Sequence, residues 1–245
     1  MNGALRAGAG HPPVPCWNGD VLRTRLFDGL SLLLPAGEEF VIRAMQEWLD
    51  THPDAGPWLR AEAGRFVQEE RAHQRAHRRY NAELAAATPV AAEQEARIAQ
   101  AVRQLDALGL PMRLALAEAF EHLTALLSAE VLRGHVWISA EPSRQARMWR
   151  WHCAEELGHR HVTAEVLRST RLCPGQRSLA LVLATFYIGG DAASLTWALC
   201  RQDVRRGRAR VSALAAQAGR LLLRAGPSLL RMALGWCGHF VPRRR

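Results

Sequence analysis

Two stretches decide how this chain is read: Glu69-Glu70-Arg71-Ala72-His73, continuing to His77, and Trp151-His152-Cys153-Ala154-Glu155-Glu156-Leu157-Gly158-His159. Each contains Glu-x-x-His inside a helix-forming segment. Positions three apart share one face of an α-helix, so each pair can offer an oxygen and a nitrogen to one metal ion. Each is preceded by a helical segment with a glutamate of its own, Glu38 and Glu121. Two Glu-x-x-His helices plus two helices carrying one glutamate each make the ligand set of a two-metal site in a ferritin-like four-helix bundle.

The surroundings of these motifs strengthen the reading. His152, Glu156 and His159 form one stripe at i, i+4 and i+7, flanked by Trp149, Trp151, Cys153 and Ala154, which points to a buried setting. Glu70, His73 and His77 repeat the stripe on the other helix. Glu121 lies in the apolar run Ala119 to Leu127, where a carboxylate is costly to bury unless paired or bound to metal. Four carboxylates, Glu38, Glu70, Glu121 and Glu156, would offset two divalent cations almost fully; without metal they would repel one another. Carboxylate and imidazole without thiolate suit iron or manganese, with zinc as an alternative.

Other residues have blander readings. Glu38 and Glu39 follow Pro35-Ala36-Gly37, so Glu38 could also be a plain charge at a helix N-terminus. His77, among Arg75, Arg78 and Arg79, is read as a surface histidine or as a second layer behind the ligands. His122 faces about 100° away from Glu121 on a helix, which also suits such a supporting role, and Glu155 is placed to orient a histidine. His11, His52, His135, His161 and His239 are read as structural or exposed.

Strand signals are nearly absent from the 245 residues, and Ala, Leu, Arg and Glu dominate, so the expected fold is all-α with additional C-terminal helices. Helices are expected from about Pro35 or Gly37 to 50, over 57–87 with Pro57 in the first turn, over 91–108, 111–138 and 143–170, and then over about 177–200 and 203–224. The expected organisation is a flexible leader over 1–25, a di-metal domain over 26–225 and an Arg-rich tail over 226–245. Residues 178–200 are nearly long and apolar enough to span a bilayer, but Gly189, Gly190 and Asp191 interrupt them. A helix buried in the bundle is therefore preferred. The tail mixes Leu229, Leu230, Trp236 and Phe240 with arginines and suits either the bundle surface or a membrane surface.

Composition narrows the class. All 32 basic residues are arginine and the net charge is +9. Aromatics are not interleaved with the arginines as a nucleic-acid stacking platform requires, so no nucleic-acid partner is expected. Cys16, Cys153, Cys173, Cys200 and Cys237 form neither a disulfide framework nor a zinc motif, which suits a reducing cytoplasm. The first 20 residues are rich in Gly and Pro and lack the apolar run of a secretory signal.

The motif residues are similar to a bacterial family catalogued as predicted metal-dependent hydrolases. Its motifs are Phe-Pro-x-Gly-Glu, Gln-Glu-x-x-His-x-x-x-His, Glu-His-x-Thr-Ala and Trp-His-x-x-Glu-Glu-x-x-His. Here they stand as Leu34-Pro35-Ala36-Gly37-Glu38, Glu69-Glu70-Arg71-Ala72-His73 with His77, Glu121-His122-Leu123-Thr124-Ala125, and Trp151 to His159. Leu34 and Glu69 depart from the usual Phe and Gln, and no candidate ligand is lost. The spacing of His152, Glu156 and His159 also looks like that of the di-iron arylamine N-oxygenases, in which the extra histidine binds one iron. That resemblance implies seven ligands: Glu38, Glu70, His73, Glu121, His152, Glu156 and His159.

The function expected from these residues is a two-metal enzyme, with iron first, that activates O2 to oxygenate a small organic substrate. A two-metal hydrolase is the alternative, and metal storage or a purely structural bundle is a third, non-enzymatic reading. Bundles of this kind often form homodimers.

Overall fold

A computed structural model of the chain describes residues 16–170 and 172–240. Among these residues it is all-α, with seven α-helices and no strand. They are α1 (Val21–Thr51), α2 (Pro57–Ala87), α3 (Val90–Arg103), α4 (Leu110–Arg133), α5 (Arg144–Arg168), α6 (Pro174–Arg205) and α7 (Val211–Gly238), with a short 3-10 turn at Gln104–Ala107. Helix starts follow local chemistry. The Asp20 side chain accepts from the Arg23 backbone N–H (2.9 Å) to cap α1, Ser143 does the same for α5, and Pro57 opens α2.

Helices α1, α2, α5 and α4 close a ring in which each packs against the next: α1 on α2 and α4, and α5 on α4 and α2. The core between them is built from Phe27, Met45, Trp48, Phe66 and Leu114. Helix α3 packs on α1 and α2, and α6 lies against α1 and α4. A buried knot joins α1 to the end of α6: the Arg25 guanidinium donates to Asp203 (2.7 Å) and Asp28 (2.8 Å), and the Tyr80 hydroxyl also donates to Asp28.

Several expected boundaries are corrected. The first helix starts at Val21, not near Pro35, and Pro35 sits inside it. A proline there removes the hydrogen bond to the carbonyl four residues back, that of Ser31. Asn81 Nδ2 supplies the missing donor at 2.9 Å, so the helix runs on. Glu38 is therefore mid-helix and fully buried, not an N-terminal charge. The helix expected to reach 108 ends at Arg103 in the 3-10 turn, and α4 stops at Arg133, before Gly134. Pro227 does not begin a tail but lies inside α7, which runs to Gly238. Residues 1–15, with His11, and 241–245 of the expected leader and tail lie outside the described residues.

Helix α6 is also corrected. Among the described residues it is the one helix long and apolar enough to cross a membrane, yet only 28% of its apolar window is buried in the bundle. One face (Ala180, Leu181, Ala184, Leu195, Leu199) packs inward, and the other carries Leu179, Leu183, Phe186 and Trp197 outward.

Candidate metal centre

The four helices of the ring each contribute to one interior cluster. Helix α1 brings Glu38, α2 brings Glu70, His73 and His77, α4 brings Glu121, and α5 brings His152, Glu156 and His159. All eight side chains are 0–3% exposed. Gly37 makes room for α4: a Cβ there would lie 2.7 Å from the Phe120 ring, so a larger residue would push that ring aside next to Glu38 and Glu121.

Two donor groups emerge. Glu70, His73, Glu156 and His159 place one ligand atom each within 4.8 Å of the others, and so do Glu38, His77 and His152. His159 Nδ1 is 2.7 Å from Glu70 Oε1 and 3.7 Å from Glu121 Oε2, and His73 Nδ1 is 3.3 Å from Glu70 Oε1 and 3.5 Å from Glu156 Oε1. His152 Nε2 lies 3.2 Å from Glu156 Oε1. Thus the structure brings together all seven residues singled out as ligands.

A direct test of fit is whether these atoms satisfy one another. They do not: both oxygens of Glu38, Glu70 and Glu121, with Nδ1 of His73 and His159, have no aligned hydrogen-bond partner. Buried polar atoms are almost always paired, because an unpaired one loses its hydration without return. Lone pairs aimed at a common centre, not at each other, are what cation binding requires. The buried Glu/His cluster can bind two metal ions.

Electrostatics agree. Burial, reinforced by Glu70 and Glu156, holds the Glu38 carboxyl well above its ordinary range, and burial with Glu156 and Glu70 does the same to Glu121. Burial also opposes the charge of Glu156, but His152, His159 and His73 overcome it and hold it down at about 2. Burial pushes His159 down, yet Glu70 and Glu156 carry it up to about 9. Without metal, the cluster neutralises itself with protons.

His77 is the residue that the sequence reading placed too far out. It is fully buried, since α2 turns Arg75, Arg78 and Arg79 to solvent and His77 inward. Asn81 Nδ2 donates to the Ser31 carbonyl and to Glu95 Oε1 (2.7 Å), so Asn81 Oδ1 can only accept. The Ser31 hydroxyl donates to that Oδ1 (2.7 Å) and therefore accepts from His77 Nδ1 (2.8 Å). This leaves the His77 Nε2 lone pair aimed into the cluster, 3.3 Å from His152 Nδ1. Two nitrogens bound to one ion at about 2.1 Å each would stand roughly 3–3.5 Å apart.

An outer layer crosses between α2 and α5. Glu155 Oε2 accepts from His73 Nε2 (2.8 Å) and Glu69 Oε2 from His159 Nε2 (3.1 Å). Glu155 thus lies against a histidine of the cluster. Glu69 was missed, and its signal was the doublet Glu-Glu preceding x-x-His in both copies. His122 turns away from the cluster: its ring lies 4.9 Å from that of His239, and burial with His239 lowers it to about 4. Trp149 lies against His77 as expected of a buried flank, but Trp151 is exposed and donates to Glu155 (3.1 Å). An open cleft of about 330 Å³ between α2 and α5, with Trp58, Arg65 and Phe66 on its walls, reaches Glu69, Glu155 and the outer edge of His159.

Fold and site together define a helical bundle with an interior carboxylate–histidine metal-binding cluster. The chain belongs to the family described as predicted metal-dependent hydrolases, whose model matches residues 8–243. No curated protein and no solved structure matches it significantly.

Proposed function

We propose that the protein is a two-metal enzyme, with iron as its natural metal, that activates O2 to oxygenate a small organic substrate. The observation that carries this reading is the donor set itself: thiolate-free glutamates and histidines, 0–3% exposed, a combination that suits iron. When bound, the metals supply the redox chemistry. Glu38, Glu70, His73, Glu121, His152, Glu156 and His159, joined by His77, would hold them. Glu69 and Glu155 set the orientation of His159 and His73, and the aromatic rings of Phe66 and Trp149 exclude water. The substrate would approach through the α2–α5 cleft.

The second reading is a two-metal hydrolase, favoured by the family description. One experiment separates the two. The protein is loaded anaerobically with Fe(II), exposed to air, and followed by elemental analysis, Mössbauer spectroscopy and O2 consumption. O2 uptake with two irons per chain supports the oxygenase. Absence of uptake, together with oxygen-insensitive hydrolysis of ester or phosphoester panels by the Zn- or Mn-loaded protein, would establish the hydrolase instead.

A further inference from the structure

The outer faces of α6 and α7 are not those of an ordinary protein surface. From Leu179 to Trp197 the exposed positions of α6 carry no charge; the one acidic residue in that span, Asp191, is tied to Arg97 of α3 at 3.2 Å. Leu179, Leu183, Phe186 and Trp197 fall at i, i+4, i+7 and i+18, a single stripe, with Phe186 75% and Trp197 65% exposed. On α7 only Ala225 and Ser228 are buried, while Leu223 (83% exposed), Leu230 and Leu234 share an outward face. Both helices pack on α4 and touch where Trp236 Nε1 donates to Thr185 Oγ1 (2.9 Å), so their outward faces lie on neighbouring parts of the surface. Exposed apolar patches of this extent mark an interaction surface.

Charge decides what covers it. Residues 204–245 hold ten arginines and no acidic residue, so this segment carries +10 while residues 1–203 carry −1. In sequence, the whole positive excess of the chain therefore lies beyond Asp203. Arg205, Arg206, Arg208 and Arg210 crowd the α6–α7 connection, and Arg220 and Arg224 edge the Leu223 face. A second copy seated on this face would oppose two such segments and repel. An anionic lipid surface satisfies both features: leucines and aromatics enter the acyl boundary while arginines meet the phosphates. Helix α6 cannot instead span the bilayer, because its inner face is part of the bundle core and Asp203 at its end is locked to Arg25 (2.7 Å).

We infer that α6 and α7 form a docking face by which the folded protein lies on an anionic membrane surface. The attachment of α7 fits this role. It is pinned by polar contacts, Glu130 to Ser228 (2.7 Å) and Arg231 (2.8 Å) and Trp137 to Ser228 (2.7 Å), and by Leu221, Ala225 and Met232 on the core, which leaves Leu223, Leu230 and Leu234 facing outward.

The test is flotation of the full chain with vesicles of pure phosphatidylcholine and of phosphatidylcholine mixed with phosphatidylglycerol. Binding is expected only to the mixed vesicles and should weaken as salt rises. The pair Arg220→Glu with Arg224→Glu and the pair Leu223→Ser with Leu230→Ser should each weaken it about tenfold or more. All four residues are exposed, so circular dichroism and metal content should stay unchanged. Equal binding to both vesicle types, or unchanged binding by either pair, overturns the proposal. So does a wild type that floats with neither vesicle, whether it forms a dimer that the leucine pair abolishes or binds a nucleic acid that only the arginine pair releases.

Discussion

Glu155 of α5 accepts a hydrogen bond from His73 of α2 at 2.8 Å, and Glu69 of α2 returns the arrangement by accepting from His159 of α5 at 3.1 Å. Each carboxylate directly precedes the inward-facing glutamate of its own Glu-x-x-His and serves the histidine of the other. The contact turns the Nδ1 lone pair of both rings toward the cluster, and the carboxylate raises its basicity. Glu155→Gln or Glu69→Gln should therefore weaken divalent metal binding roughly 10- to 100-fold while the fold persists, because both side chains sit at the rim. Competition with a chelator of known affinity measures this. Unchanged affinity in both variants would show that the outer carboxylates are only surface charges.

Metal entry should expel protons. Burial and like charges keep Glu38 and Glu121 protonated well above the ordinary carboxylate range, and Glu70 and Glu156 keep His159 protonated up to about 9. Each must lose its proton to act as a ligand. Loading at pH 7 should thus release protons, and apparent affinity should rise with pH until about 9, where His159 is neutral before metal arrives. Calorimetry in buffers of different ionisation heat counts the protons, and metal uptake without release would mean that the ions bind elsewhere.

The same repulsion predicts opposite signs in the two states of the protein. Glu121 is fully buried with both oxygens unpaired. Glu121→Gln keeps the shape and removes the cost of protonating a buried carboxyl that is ionised in the unfolded chain at neutral pH. It should stabilise the metal-free protein by roughly 1–2 kcal/mol and reduce the extra stability gained on adding metal. Thermal melts with and without the ion provide the check. Destabilisation in both states would argue that Glu121 has a partner of its own and is no ligand.

The all-α fold and the seven convergent residues were legible because both rest on short-range periodicity. A stripe at i, i+3 and i+4 needs only local sequence to be recognised, and Pro57 and Ser143 mark helix starts by their own chemistry. What escaped depends on partners far along the chain. Pro35 is a normal stop signal, and it is overridden by Asn81, an acceptor's partner fifty residues away from Ser31. His77 looks exposed among its arginines, and only the neighbouring helices decide that this side of α2 is the interior. In α6, apolar content was read as burial, but content alone does not say which neighbour, protein or lipid, covers each face.

Asn81 offers the clearest joint test of fold and site. Its amide donates to the carbonyl that Pro35 orphans, and its oxygen fixes the Ser31 hydroxyl that in turn sets the His77 tautomer. Asn81→Ala should cost about 1–3 kcal/mol, since a buried carbonyl and hydroxyl lose their partners. Denaturant unfolding should show an earlier midpoint with an unchanged slope. Metal should be lost selectively from the end of the cluster formed by Glu38, His77 and His152, so that elemental analysis finds fewer ions than in the wild type. His77→Ala should reproduce the metal loss, while Ala in place of the exposed Arg78 should reproduce neither effect. Full occupancy in both Asn81→Ala and His77→Ala would place His77 outside the ligand set and leave only the structural half of the relationship standing.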